Sequence, residues 1–284
     1  MKKWSVILGV LVITTAFTWN YQSFLRGTEN LEVSFLDIGQ GDAIYIRTQN
    51  GNDALLDGGP DDSIIQKLHE VMPSFDNDID LMIETHPDKD HIAGLIPVLE
   101  QYQVKNILRS EISSGTSFDT SLLQHIQEEP GINKILARRG ERIILDPDYG
   151  VYLDVLFPDQ NTATFKETNE ASIVVRLVYG KKSFLLTGDS PISVEQFLVK
   201  NDKQVLKSSV LKLGHHGSKT SSGDAFLDQI QPEYAIVSAG KNNSYHHPHP
   251  SVMEKLNSRH IKTLSTIDLG TITFETDGIQ IWQK

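Results

Sequence analysis

Short apolar runs that alternate with polar residues open the ordered part of the chain. "LEVSFLDI", "DAIYIRT" and "NDALLDGG" follow the period of two of a half-buried strand and are bounded by Gly, Asn or Asp, which predicts an antiparallel meander after "RGTEN". The spacing then lengthens to that of helices, at about 63–72 and 92–102 with the strand "IDLMIET" between them, and strands near "VKNILRS" and "INKILAR" flank a helix around "SLLQHIQEE". The second half repeats the theme. "RIILD", "GVYLDVLFP", "ASIVVRLVYG" and "KSFLLTGD" read as strands, a helix covers "PISVEQFLVK", and "SSVLKLGHHG", "EYAIVSAG", "IKTLST", "GTITFET" and "GIQIWQ" are further strands with helices interspersed. Strand groups and helices recurring in two halves, without a Pro- or Gly-rich linker to split them, predict one α/β domain over residues 31–284. The expected architecture is a four-layer αββα sandwich, two mixed sheets covered on the outside by helices.

The first residues break this pattern. Lys2 and Lys3 precede "WSVILGVLVITTAFTW", an uncharged and mostly apolar stretch, so residues 1–26 read as a signal peptide or an N-terminal membrane anchor. On that reading the rest is extracytoplasmic, either secreted or attached to the outer face of the cell membrane. A buried N-terminal helix is the bland alternative. The stretch is also slightly short of the roughly 20 residues that span a bilayer comfortably.

Composition narrows the chemistry. With 39% hydrophobic residues, 284 residues bury a substantial core, and no cysteine is present, so thiolate metal sites and disulfides are excluded. Any metal must be held by His, Asp, Glu or Asn. The net charge of −11 lies in the first two thirds of the chain. Lys200, Lys203, Lys207, Lys212, Lys219 and Lys241 cluster near later histidines, and either a local basic groove or a solvated lysine face explains them. A strongly basic domain, the usual footprint of nucleic-acid binding, is absent.

"ETHPDKDHIAGL" crowds four potential ligands into six positions at the carboxyl end of a buried strand, where α/β folds place ligand sites. A turn there directs His86 and Asp88 toward one point and Asp90 and His91 toward a neighbouring one. Capping of the following helix explains one carboxylate, but not two histidines as well.

His-x-Asp-x-Asp-His after a strand resembles the His-x-His-x-Asp-His signature of the metallo-β-lactamase superfamily, with Asp88 in place of the middle histidine. That form resembles the metallo-hydrolase domain of the ComEC family of DNA-uptake proteins. Other pieces agree in order: "FLDIGQGDAIYI", "LLDGG" with Asp57, "LLTGD" with Asp189, "LKLGHHGSKTSS" and "SAGKNNSYHHPHP". The resemblance spans roughly residues 31–284 and, without channel-forming helices, implies a free-standing relative of the enzymatic part.

Carried over, His86 and Asp88 serve one metal, Asp90 and His91 the other, Asp189 both, and His215 completes the second site. His215 and His216 can exchange roles. The superfamily's further histidine is missing, since His125 lies in a predicted helix, and Asn169 in "ETNEAS" is the nearest substitute. Asp57 and Asn169 are thus supporting residues. The catalytic set is Asp90, His247 and Lys219, while His216, Ser218 and Asn243 face the substrate. His69 and His260 are read as exposed helix residues, and the "HHPHP" tract has a bland alternative as surface histidines.

Two divalent ions are implied. Carboxylate in place of imidazole hardens the site, so manganese is preferred, with zinc or magnesium as alternatives. A metal pair activates water and clamps the oxygens of phosphoryl transfer, which makes the expected function an exported phosphodiesterase or nuclease acting on DNA. The alternatives are hydrolysis of a cell-wall phosphodiester or a lactone, and a DNA- or metal-binding module with an incomplete site.

Overall fold

A computed structural model describes residues 28–284. The expected leader or anchor at residues 1–26 lies outside the described residues. Among those described, no helix is long and apolar enough to cross a membrane.

The strands are β1 (Leu31–Phe35), β2 (Ile44–Arg47), β3 (Asp53–Leu56), β4 (Asp78–Glu84), β5 (Gln103–Arg109), β6 (Asn133–Leu136), β7 (Arg142–Asp146), β8 (Val151–Phe157), β9 (Val174–Tyr179), β10 (Lys182–Leu186), β11 (Val210–Lys212), β12 (Tyr234–Val237), β13 (Lys262–Ser265), β14 (Ile272–Thr276) and β15 (Ile281–Gln283). The helices are α1 (Ser63–Val71), α2 (Lys89–Ile92), α3 (Leu95–Gln101), α4 (Ser117–Glu128), α5 (Ile192–Asn201), α6 (Asp224–Ile230), α7 (Pro250–Ser258) and α8 (Thr266–Leu269).

An eight-stranded sheet runs in the order β15-β14-β1-β2-β3-β4-β5-β6 and a seven-stranded sheet in the order β13-β12-β11-β10-β9-β8-β7. Each is mixed: hairpin-linked antiparallel strands give way to a parallel run, β3 to β6 in one and β10 to β13 in the other. The parallel runs need helical crossovers, which cover the outer faces.

Three apolar clusters follow from this layering. The one between the sheets is built around Phe35, Phe184 and Phe274. A second packs α1, α3 and α4 on the first sheet through Leu68, Val98 and Leu122, and a third packs α5, α6 and α7 on the second through Leu198, Leu227 and Leu256. Helix, sheet, sheet and helix are therefore the four layers expected of the sequence.

Three local differences have physical causes. The helix expected at about 92–102 starts earlier and is broken into α2 and α3 at Gly94. There the amide of Gly94 donates to the Gly59 carbonyl at 3.0 Å, and a β-carbon on Gly94 would lie 1.9 Å from the Gly58 carbonyl oxygen. The break is the close approach that locks the end of β3 against α2. Lys212, counted among the lysines of a possible basic groove, is fully buried in β11. Its ammonium donates to Asp42 at 2.7 Å. His260 sits beyond the end of α7, exposed in a left-handed turn, rather than on the helix.

Away from the strand ends that carry the histidines, Asp53 is buried at the start of β3. It accepts from the Tyr45 hydroxyl at 2.8 Å and from the Asp80 amide at 2.9 Å. Burial raises its pKa to about 7 against the opposing pull of these hydrogen bonds. A raised carboxyl pKa means that the folded state holds a proton the unfolded chain has released. Its contribution to stability is therefore full below pH 4 and is lost as the pH rises through about 7. Thermal unfolding of the metal-free protein should show the melting temperature falling from pH 4 to pH 8. Asp53→Asn, which imitates the protonated form toward Tyr45, should flatten that slope; an unchanged slope would remove Asp53 as its source.

Candidate metal centre

The parallel strands of both sheets end at one rim, and the chemistry-bearing side chains leave from the residues just past those ends. Asp57 follows β3, Thr85 and His86 follow β4, Asp189 follows β10, His215 and His216 follow β11, and the loop to His247 follows β12. Close backbone contacts draw these loops together. The Gly58 amide donates to the His91 carbonyl at 2.7 Å, and that of Ile173 donates to Thr85 at 2.9 Å. The Asp189 amide donates to the Ser172 hydroxyl at 3.2 Å. A β-carbon on Gly41 would fall 2.1 Å from the Asp90 carbonyl oxygen, so glycine is what lets the loop after β1 reach α2.

Asp57 is the hub of the first group. Its carboxylate accepts from the Thr85 amide at 2.9 Å, from the Thr85 hydroxyl at 2.7 Å and from His91 Nδ1 at 2.8 Å. Because the hydroxyl proton of Thr85 goes to Asp57, its oxygen is left to accept from His86 Nδ1, 3.0 Å away. Both imidazoles are thereby protonated on Nδ1, and each presents the lone pair of Nε2 when neutral. His86 and His91 are fully buried, and neither Nε2 makes a hydrogen bond. These atoms lie 3.9 and 3.4 Å from the two carboxylate oxygens of Asp189.

A second group adjoins the first. His216 is buried, with Nε2 at 3.3 Å from Asp90 and 3.7 Å from Asp189. Its Nδ1 stands 3.3 Å from Asp42, whose other oxygen receives the Lys212 ammonium. Ligand atoms of His86, His91 and Asp189, and those of Asp90, His91 and His216, fall within 4.8 Å of one another in each set. Asp42 joins two further sets of the same size, one with Asp57 and His91 and one with Asp189 and His216.

The electrostatics follow from burial. Desolvation alone would raise the pKa of Asp189, but His216, His91 and His86 hold it well below the ordinary carboxylate value. Desolvation opposes charge on His91 too, yet Asp189 and Asp57 overcome it and its pKa stands well above that of free imidazole. His216 behaves alike, rising to about 9 against burial because of Asp189 and Asp42. His86 moves the other way: burial and the charge of His91 lower its pKa. Carboxylates dominate this pocket and draw in positive charge. The Nε2 atoms of His86 and His91, buried and without hydrogen-bond partners beside clustered carboxylates, are positions where a divalent cation can replace a proton, so the residues fit the metal chemistry implied by the motifs.

The remaining sequence-derived residues take distinct places. Asp88 occupies the N-cap of α2 without a capping hydrogen bond, 38% exposed, 3.7 Å from His86 Nε2. Asp90, in the first turn of the same helix, faces His216, so neither carboxylate is consumed by capping. His215 and His216 both have left-handed backbones, which aims the adjacent rings differently. His216 enters the buried group, whereas His215 is partly exposed, its Nε2 at 3.7 Å from Asp189 and its Nδ1 at 3.2 Å from Thr220.

Ser218 accepts from the Thr220 hydroxyl at 3.0 Å, and Lys219 is exposed. Asn169 lies in a 3-10 turn (Thr168–Ala171), its side-chain Oδ1 buried and without a hydrogen bond. Asn243, expected at the substrate, spends its side chain on its own loop: it accepts from the His247 amide at 2.9 Å and donates to the His247 and Gly240 carbonyls at 2.8 and 2.9 Å. It positions His247, whose ring centre lies 5.4 Å from that of His215. His125 is remote, its Nδ1 turned to the Ser121 carbonyl within α4.

Asp42 and Lys212 are the residues that sequence reasoning missed. The signal available was a lysine at the end of an apolar strand directly before the paired histidines, which calls for a buried anion to meet it.

Asp57 and Asp42 each orient a histidine, and loss of such partners ordinarily costs 10- to 100-fold in metal affinity. Asp57→Asn and Asp42→Asn should each weaken manganese binding by about that factor in calorimetric titration. Unchanged affinity in a folded variant would deny that carboxylate an orienting role.

A family model described as the metallo-beta-lactamase superfamily matches residues 36–241. In sequence the chain is 34% identical to ComE operon protein 3 of Bacillus subtilis over 86% of its own length and 33% of that protein's, and 31% identical to Recombination protein 2 of Haemophilus influenzae over 89% and 30%. It thus spans about a third of the length of these relatives. Among solved structures, Igni18, a metallo hydrolase from Ignicoccus hospitalis, superposes with a TM-score of 0.56 at 15% identity, covering 87% of this chain and all of that one. CmlA, a diiron beta-hydroxylase from Streptomyces venezuelae, superposes with a TM-score of 0.58 at 14% identity, covering 88% and 55%. These structural likenesses bear on the fold alone. By fold, by motif and by the match over most of its length, the chain belongs to the metallo-beta-lactamase superfamily.

Proposed function

We propose that this protein is a metal-dependent phosphodiesterase that cleaves DNA. The observation that carries the reading is the meeting of two kinds of loop at one rim. The Asp- and His-rich ends of β3, β4 and β10 gather cation ligands, and the late loops bring His215 and His247 beside them as groups suited to an anionic substrate. The name of one relative, Recombination protein 2, supports DNA as that substrate.

In this reading His86, Asp88 and Asp189 would hold one divalent ion. Asp90, His91, Asp189 and one of His215 and His216 would hold the other, with His216 favoured by its burial against Asp90. Bound there, such ions supply Lewis-acid polarisation of phosphoryl oxygens and a lowered pKa for an attacking water. Carboxylate-rich donors suit manganese or magnesium, and zinc also accepts them.

The chain's own groups do the rest. Asp57 and Thr85 keep Nε2 of His86 and His91 available. Burial and the neighbouring His215 and His216 depress the pKa of His247 to about 4, so at neutral pH it is an uncharged ring. That suits a hydrogen-bond contact to a phosphate oxygen better than proton donation to the leaving group. Lys219, exposed on the loop after His216, supplies a cation for the phosphate backbone.

A second reading, a DNA-binding module without turnover, is favoured by one observation: the ion assigned to His86, Asp88 and Asp189 would have only one imidazole and a partly exposed Asp88, while the side-chain Oδ1 of Asn169 is without a hydrogen bond.

Cleavage of single- and double-stranded DNA titrated with manganese, magnesium and zinc tests the proposal. Metal-dependent turnover should fall by about a thousandfold or more in Asp189→Ala, the loss expected when several kcal/mol of transition-state stabilisation is removed. Binding without cleavage under every metal would select the second reading. Hydrolysis of a lactone or a phosphocholine ester but not of DNA would refute the choice of substrate.

A further inference from the structure

Tyr245 is a large ring left 66% exposed, on a loop that is otherwise firmly held. Asn243 ties the loop to the backbone of Gly240 and His247. Pro248 packs so closely on Gly217 that a β-carbon there would approach it to 2.8 Å, and the His249 amide donates to the Gly217 carbonyl at 2.9 Å. The Tyr245 ring stacks on His247 with centres 5.7 Å apart and planes 20° from parallel. His247 in turn lies 5.4 Å from the ring of His215, whose Nε2 is 3.7 Å from Asp189. One face of the tyrosine is thus backed by a short train of rings leading to the metal donors. Lys241 is exposed at the start of the same loop.

We propose that the exposed ring of Tyr245 is a stacking platform for a nucleobase of a single-stranded nucleic acid, flanking the phosphate held at the metal centre. The proposal rests on the phosphodiesterase reading above and names the part of the substrate that reading leaves open. A flat, pre-positioned aromatic ring stacks on any base, because every base has a π-face. It cannot do so with a base still paired and stacked inside a duplex, so unpaired strands and frayed ends are preferred. A histidine on the buried side fixes the tilt of the ring without covering its outer face. A cell-wall diester lacks a base and would gain nothing from this ring beyond ordinary contact.

The test compares a thymidine 12-mer with a 12-mer of the same backbone made abasic by tetrahydrofuran residues. The full chain should cleave the thymidine strand with about a tenfold lower KM than the abasic one. Tyr245→Ala should erase that difference, and Tyr245→Trp should keep it. Retention of the tenfold preference in Tyr245→Ala overturns the platform, whereas absence of cleavage of either strand by the unaltered chain overturns the phosphodiesterase reading instead. Binding of fluorescently labelled strands with calcium in place of manganese, the strands checked to remain uncut, reads the platform apart from turnover. About tenfold tighter binding of the thymidine strand, lost in Tyr245→Ala, is expected; equal affinity for both strands, or none for either, overturns it.

Discussion

The carboxylate of Asp57 lies under the centre and receives three hydrogen bonds, two from Thr85 and one from His91. It fixes the tautomer of His91 directly and that of His86 through the Thr85 hydroxyl. An imidazole that turned its protonated nitrogen toward Asp189 could not offer a lone pair there, however well the fold placed the ring. Asp57 itself has a left-handed backbone at the end of β3, and the glycines after it let α2 come down onto that end. A strained turn, a close glycine contact and a threonine hydroxyl together leave two nitrogen donors buried and unpaired. Such an arrangement is costly unless something electropositive meets it.

The same economy of charge organises the second group. Lys212 is buried within β11, yet it neutralises Asp42 and leaves that carboxylate's other oxygen facing His216. Removing one partner of such a buried pair strands the other, so the pair constrains the sequence at two distant positions at once. Asp42 and Asp57 therefore play matching parts, one under each histidine of the inner wall. Around them Asp90 and Asp189 keep the pocket negative, which is why His91 and His216 hold protons above the ordinary imidazole range when only the chain's own charges are counted.

Most of the layering was legible from periodicity, because each strand and helix buries one face and the apolar positions announce which. The donors of the loop at His86 to His91 were legible from their density in sequence. What the one-dimensional pattern lacks is direction. His215 and His216 are neighbours of one type, and only two consecutive left-handed residues decide that the second turns inward and the first outward. Asn243 resembles a substrate contact in sequence, yet its amide closes a loop, since both ends of a carboxamide can be satisfied by nearby backbone. Lys212 was hidden for the opposite reason: lysine is ordinarily a surface residue, and its partner Asp42 stands 170 positions away in the chain. The break at Gly94 was likewise invisible without knowing that Gly58 would press against it.

The most direct measurement is the location of cations bound to the whole protein, by anomalous diffraction from crystals grown with manganese. The account requires two manganese peaks on either side of the Asp189 carboxylate, one touching Nε2 of His86 and the other Nε2 of His91. Manganese elsewhere, or no peak beside Asp189 at saturating concentration, would contradict it.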